Sequence, residues 1–311
     1  MIKRFISAIL LILTVLSLAA CGTDAGSTAD TNTESAKTTD TSATPETAET
    51  EAEKEKEVLD NMKTYNILFI GNSYTYFNDM PEKIFLPITE AAGYKFNVKQ
   101  LTKGGWDLVR SSSADDELGR EVDKELKTQK YDFVVLQGQS TNPSLDPGKL
   151  YDGVRALYAK VKENGAKPIL YETWGRKEGS DILSDNDMTS ESMTWKTAAS
   201  YEAISKELGI DVAHVGLAFH DIYSSGIRKI DLYAGDLSHP SYTGSYLAAM
   251  TIFAEITGVD PTTIDYNGER AEAIAEPLRE AARKAVFETP EIPAEYKTSS
   301  EGVTSEGVTG E

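Results

Sequence analysis

Only one cysteine, Cys21, occurs in the 311 residues. A single thiol excludes an intramolecular disulfide framework and a Cys-based metal site. Its place near the N-terminus also leaves the rest of the chain without a catalytic thiol. Histidine is almost as scarce. His214, His220 and His239 are the whole supply, so any mechanism that needs an imidazole must choose among three. Positive charge is short as well, with 31 Lys+Arg against 50 Asp+Glu and a net charge of −19. That balance argues against a nucleic-acid partner, which needs a basic surface to displace counterions. No His-x-x-x-His spacing suggests zinc, and no P-loop or Gly-x-Gly-x-x-Gly suggests a nucleotide. Neither a metal nor a cofactor is expected.

What is present at the N-terminus reads as an export signal. Lys3 and Arg4 precede a mostly apolar run of 14 residues, Phe5 to Leu18, which is too short to span a bilayer of about 30 Å comfortably. Leu18-Ala19-Ala20-Cys21 is similar to a bacterial lipobox, in which the cysteine takes the lipid and becomes the mature N-terminus. The expected location is therefore the bacterial cell envelope, outside the cytoplasm, with the chain held to the membrane through lipid at Cys21. Gly22 to Asp60 holds 11 acidic residues, 3 Lys and 10 Thr, and no aromatic. So little apolar surface cannot offset the entropy of ordering. The C-terminus repeats a polar unit, Ser300-Glu301-Gly302-Val303-Thr304 and then Ser305-Glu306-Gly307-Val308-Thr309. The expected organisation is a lipoprotein signal peptide over 1–20, a disordered acidic tether over 21–62, one folded domain over 63–289 and a disordered tail over 290–311. More than half of the net negative charge lies outside that domain, so charge says little about the substrate.

Within the domain, strand-like runs alternate with amphipathic segments. The runs are Tyr65–Ile70, Phe96–Val98, Tyr131–Gln137, Pro168–Tyr171 and Ile210–Ala213. Helical patterns cover Pro81–Ala92, Leu118–Thr128, Lys149–Asn164, Trp195–Leu208, Ser241–Thr257 and Gly268–Phe287. Leu118, Val122 and Leu126, at i, i+4 and i+8, mark one helix face. This alternation predicts a single three-layer α/β/α domain around a flavodoxin-like parallel sheet of about five strands. Ligands of such sheets sit at the carboxyl ends of the strands.

Two motifs stand at such ends. Gly71-Asn72-Ser73 follows the first run, where a glycine allows a sharp turn and the serine is placed to be a nucleophile. Asp236-Leu237-Ser238-His239-Pro240 lies near the far end, and Asp and His three apart on a turn form the orienter–base half of a serine hydrolase triad. Each also has a plainer reading: a helix N-cap for Ser73, a surface turn for Asp236–His239.

Together the motifs resemble the SGNH (GDSL-type) hydrolase superfamily, over about residues 65–258. Gly71-Asn72-Ser73 looks like its first block, with Asn72 where Asp is common. Gly104-Gly105-Trp106 looks like the second block, and Asp236 with His239 like the last. In place of the usual third block, Gly-x-Asn-Asp, stands Gln137-Gly138-Gln139-Ser140, similar to a branch with a Leu-Gln-x-Gln-Ser pattern. Val215-Gly216-Leu217-Ala218-Phe219 is similar to the same branch.

The resemblance implies a serine esterase with Ser73, Asp236 and His239 as triad. It implies an oxyanion hole made by the N–H groups of Ser73 and Gly105 and the amide of Gln139, with Gln137 and Asn142 as alternatives to Gln139. It further implies O-deacetylation of a carbohydrate, with lipid or small-ester hydrolysis, or a non-catalytic glycan-binding lipoprotein, as the competing readings. Trp106 and Trp174, just past strand ends, either wall a sugar-binding cleft or pack the rim of the core. His214 and His220 read as structural. Asp185, Asp187 and Glu191 read as a solvated acidic loop rather than a cation site.

Overall fold

A computed structural model describes residues 58–227 and 229–305. The signal peptide, Cys21 and most of the tether expected from the sequence lie outside the described residues, as does the second copy of the C-terminal repeat beyond Ser305.

Five parallel strands form one sheet. They are β1 (Thr64–Gly71), β2 (Lys95–Thr102), β3 (Phe133–Gln137), β4 (Lys167–Tyr171) and β5 (Asp211–Ala213), in the order β2-β1-β3-β4-β5. Eleven α-helices are interleaved among the described residues. Before β3 come α1 (Ser73–Tyr76), α2 (Leu86–Ala91), α3 (Leu108–Ser112) and α4 (Glu117–Thr128). Between β3 and β5 come α5 (Asn142–Leu145), α6 (Pro147–Asn164), α7 (Asp181–Asp185) and α8 (Ser190–Leu208). After β5 come α9 (Val215–Ser224), α10 (Tyr242–Thr257) and α11 (Glu272–Phe287). The chain moves outward from β1 to β2 and then back across to β3, so the strand order reverses between β1 and β3. A crevice at the carboxyl ends is expected at that reversal.

Each strand feeds two cores, because successive side chains leave a strand on opposite faces. Ile67, Phe69, Phe133, Val135, Ile169 and Tyr171 belong to one cluster, which includes α9, α10 and α11. Leu68, Ile70, Val134, Leu136, Leu170 and Val212 belong to the other, with α4, α6 and α8. All five residues of β3 are buried, which is why that run reads as continuously apolar rather than alternating.

Three expectations shift. The Pro81–Ala92 helix is a wide π-helical turn, Met80–Phe85, that passes into α2. Before it, Asn78 and Asp79 both take the left-handed conformation, with φ of 58° and 50°. The folded unit begins earlier than residue 63, for Leu59 donates its N–H to Thr257 O at 3.0 Å and its own carbonyl accepts from Tyr94 Oη.

The tail is the larger correction. Residues 290–305 are not free of the domain. Ser300 is 2% exposed, and its hydroxyl is within hydrogen-bonding distance of Ala203 O and Glu207 Oε2. Arg155, on α6, donates to the carbonyls of Ser300 and Val303 at 2.7 and 2.8 Å. Asp152 accepts from the N–H and hydroxyl of Ser305. Composition misleads here because the first repeat docks by its backbone and small hydroxyls, not by apolar burial. Gly148 permits the approach, since a Cβ there would lie 2.6 Å from the carbonyl of Thr304. Truncation after Thr289 leaves Arg155 without two acceptors, so we expect a loss of about 1–3 kcal/mol in stability. Chemical denaturation of the truncated and full chains checks this; equal midpoints would contradict it.

Candidate active site

Ser73 opens α1 directly after β1. Gly71 is needed at the end of the strand, because a Cβ there would lie 2.6 Å from Gln137 Oε1 and 2.7 Å from Thr75 Oγ1. Asn72 is the N-cap of α1: its side-chain oxygen accepts from Tyr74 N at 3.0 Å. Its amide nitrogen donates to Trp106 O at 2.9 Å. An aspartate here would keep the cap and lose the donor. Asn72 therefore ties the serine turn to the second loop, which accounts for this departure from the resembled pattern.

His239 Nε2 lies 2.8 Å from Ser73 Oγ, and His239 Nδ1 lies 2.5 Å from Asp236 Oδ2. The other oxygen of Asp236 accepts from the N–H groups of Ser238 and His239, at 3.1 and 2.9 Å. Burial works to raise the Asp236 carboxyl, but hydrogen bonds from His239 and these two N–H groups outweigh it and hold the carboxyl below its ordinary value. Leu237, between them, has φ of 61°. A left-handed conformation at a leucine costs about 1–2 kcal/mol. It is held by Leu237 N donating to Ala234 O and by Lys177 N donating to Leu237 O. Phe77 stacks on the imidazole, ring centres 4.2 Å apart and 11° from parallel. Phe77 did not stand out in the sequence. The adjacent Asn78-Asp79 pair, residue types that tolerate positive φ, was the available signal of a tight turn there.

Gly105 follows β2 at φ 75°, the third position of a turn closed by Trp106 N donating to Lys103 O at 3.1 Å. Positive φ at that position favours glycine. Neither the N–H of Ser73 nor that of Gly105 donates to any group among the described residues, so both remain available.

At the third strand the alternatives separate. Gln137 has no exposed surface. Its Oε1 accepts from Asn72 N and Thr75 Oγ1, each at 2.9 Å, and its amide nitrogen donates to Gly138 O. Gln137 is a strut under the serine turn, with its oxygen committed to Asn72 and Thr75 and its amide nitrogen turned to Gly138 O. Gln139 Oε1 accepts from Thr141 N and Oγ1 and from Asn142 N, at 2.7, 2.9 and 3.1 Å. Backbone N–H groups only donate, so these bonds fix which end is oxygen. Its Nε2 makes no bond among the described residues.

The tryptophans divide. Trp174 is a correction: it has no exposed surface and lies between the rings of Tyr74 and Phe219, at 4.4 and 4.2 Å and nearly parallel to both. It cannot wall a cleft, because an unbroken aromatic stack occupies both its faces. Trp106 is half-buried, with Lys103 and Arg110 over its ring at 4.1 and 3.3 Å and its indole N–H on Asp116 at 2.8 Å. Asp185, Asp187 and Glu191 are exposed, away from these contacts. His220 meets the edge of Trp195.

His214 lies under the sheet ends, paired with a residue the sequence did not single out. Glu172, directly after β4, has no exposed surface. Its Oε2 is 2.5 Å from His214 Nδ1, and its Oε1 accepts from Leu217 N in the first turn of α9. Gly216 is required beside it, since a Cβ would lie 2.5 Å from Glu172 Oε1. Burial pushes the Glu172 carboxyl up. Burial pulls His214 down, but the adjacent carboxylate overcomes it and the imidazole titrates above its ordinary 6.5. For His214 the raised value means that the folded chain binds more protons than the unfolded one, so its contribution is complete below the ordinary His value and is lost as pH rises through the raised one. In Glu172→Gln burial pulls His214 down against only the weaker pull of Glu255 and Glu202, so the fall of stability with rising pH should flatten or reverse. Thermal melts of both chains between about pH 5 and 8 check this; parallel profiles would contradict it.

A serine, an imidazole and a carboxylate in line, at the switch point of a parallel α/β sheet, define a serine hydrolase. Solved structures place it further. A protein from Slackia heliotrinireducens assigned to the SGNH hydrolases superposes with a TM-score of 0.55 at 28% identity, over 62% of this chain and all of that one. A DUF4886 family protein from Bacteroides uniformis shares the fold, with a TM-score of 0.63 at 19% identity, over 76% of this chain and all of that one. No family model and no curated protein matches the sequence. The chain has the fold of these SGNH hydrolases, and its Ser73–His239–Asp236 arrangement is that of a serine hydrolase.

Proposed function

We propose that this esterase removes O-acetyl groups from a carbohydrate outside the cytoplasm, held to the membrane by lipid on Cys21. The observation that carries the chemistry is the unbroken Ser73–His239–Asp236 chain of contacts. Ser73 Oγ attacks the ester carbonyl while its proton passes to His239 Nε2. The carbonyl oxygen becomes negative and takes hydrogen bonds from Ser73 N, Gly105 N and Gln139 Nε2. Collapse breaks the C–O bond, and the alcohol leaves with the proton from His239. Water repeats the sequence on the acyl-enzyme and releases the acid. Asp236 stays ionised and holds the tautomer that this needs.

The carbohydrate substrate and the location rest on the sequence: the apolar run and Cys21 imply export, and O-acylated polysaccharides are found where export leads. Acetate release from a panel of acetylated glycans, beside p-nitrophenyl esters of rising chain length, tests the substrate. Glycan deacetylation with a sharp preference for the acetyl ester is expected. Preference for long chains with no acetate from any glycan would replace this reading with lipid-ester hydrolysis. Partition into the detergent phase, lost in Cys21→Ser, tests the anchor.

A further inference from the structure

The segment that leaves β4 runs alongside the turn that carries Asp236 and His239 and is bonded to it residue by residue. Trp174 Nε1 donates to Ser238 O at 3.1 Å, Tyr233 Oη to Gly175 O at 2.6 Å, and Lys177 N to Leu237 O at 3.0 Å. Arg176, in the middle of this segment, reaches the other way. Its Nη1 donates to Tyr74 Oη, and its Nη2 donates to Ser140 Oγ at 2.9 Å. Tyr74 Oη is also 3.0 Å from Ser238 Oγ. A guanidinium only donates, so the phenol oxygen accepts from Arg176 and its own hydrogen is free to go to Ser238.

Those partners are the chain neighbours of the site residues. Tyr74 follows Ser73, Ser140 follows Gln139, and Ser238 precedes His239. Tyr74 and Ser140 are 2% and 6% exposed, so a shift in either transmits to packed surroundings. Arg176 has no carboxylate partner among the described residues, and its Nε is buried without a partner. Arg176 is only partly buried, but a guanidinium with a buried, unpartnered Nε and no carboxylate beside it adds little to stability alone.

We propose that Arg176 is a positioning residue that sets the spacing between the nucleophile turn, the Gln139 loop and the His239 turn. The fork holds Tyr74 and Ser140 at fixed separation, and the Tyr74 hydroxyl passes the constraint to Ser238. This role rests on the Ser73 triad reading.

The test uses a small neutral ester, p-nitrophenyl acetate, on the full chain. Arg176→Ala should lower kcat by about 10–100-fold with KM within about 3-fold, because the geometry counts most as charge develops. Tyr74→Phe keeps the ring stacked on Trp174 and removes only the hydroxyl, and it should lose kcat comparably. The double variant should be no worse than the poorer single one, since both break one chain of bonds. Arg176→Lys should recover only part of the rate, because an ammonium lacks the fork that meets two oxygens. Unchanged kcat in Arg176→Ala, an effect confined to KM, or fully additive losses would overturn the proposal. A fluorophosphonate control separates the two readings. Wild-type chain labelled at Ser73 with unaffected Arg176 variants sinks the positioning role alone; wild-type chain that neither labels nor turns over sinks the triad reading and this role with it.

Discussion

Ser73→Ala and His239→Ala are each expected to lower turnover of a small ester by about 10⁶-fold, and the double variant by no more than either, because the two act as one unit. The expectation comes from geometry. Ser73 Oγ has one recorded partner, His239 Nε2, at 2.8 Å, and no other base is in contact with it among the described residues. Without the imidazole the hydroxyl keeps its proton; without the hydroxyl the imidazole has nothing to activate. Asp236→Asn should cost about 10⁴-fold, through the wrong tautomer rather than through lost geometry. Each variant should still fold, with at most a small loss of stability, since alanine at 73 leaves no buried polar group unpaired and Asp236 is half exposed. The Asp236 carboxyl is held below its ordinary 3.8. Its ionised contribution is therefore fully present above that value and is lost only as pH falls through the lowered one. Steady-state kinetics with thermal melts check all three variants. Retained turnover with an intact fold in any of them would contradict the assignment of that residue.

The second large effect is expected at Gln139. Loss of one oxyanion donor typically costs about 10²–10³ in kcat, and Gln139 Nε2 is the donor proposed for that role, unbonded once its oxygen is committed to Thr141 and Asn142. Gln139→Ala would also remove the three bonds that this oxygen accepts and loosen the start of α5. Gln139→Glu is the sharper variant. A carboxylate keeps all three acceptor bonds but replaces the proposed donor with negative charge. It should lose at least as much kcat as Gln139→Ala, with KM little changed, because the missing bond strengthens only as charge develops. A Gln139→Glu enzyme with a normal rate, beside a collapsed Asn142→Ala enzyme, would transfer the role to Asn142. Gln137→Ala should instead fail by unsettling the serine turn, since its amide braces Asn72 and Thr75.

The sheet was readable because buried parallel strands leave continuous apolar runs, as Phe133–Leu136 does. Ser73, Asp236 and His239 were readable because the turns that present them carry recognisable neighbours. Three things were not. Glu172 is a lone acid among uncharged residues, and its partner His214 is 42 residues away; nothing local marks a buried pair made by two adjacent strands. Trp174 and Trp106 hold equivalent places after their strands, and only packing distinguishes a ring sealed between Tyr74 and Phe219 from a half-buried one. The tail over 290–305 has the composition of a disordered segment, and its docking depends on Arg155 and Gly148 far away in sequence.

Reaction with a fluorophosphonate, read by intact mass and peptide mapping, tests the central claim most directly. One adduct per chain is expected, located on Ser73, formed slowly or not at all in His239→Ala and absent in Ser73→Ala. No adduct on the folded wild-type chain, or an adduct on another residue that persists in Ser73→Ala, would contradict it.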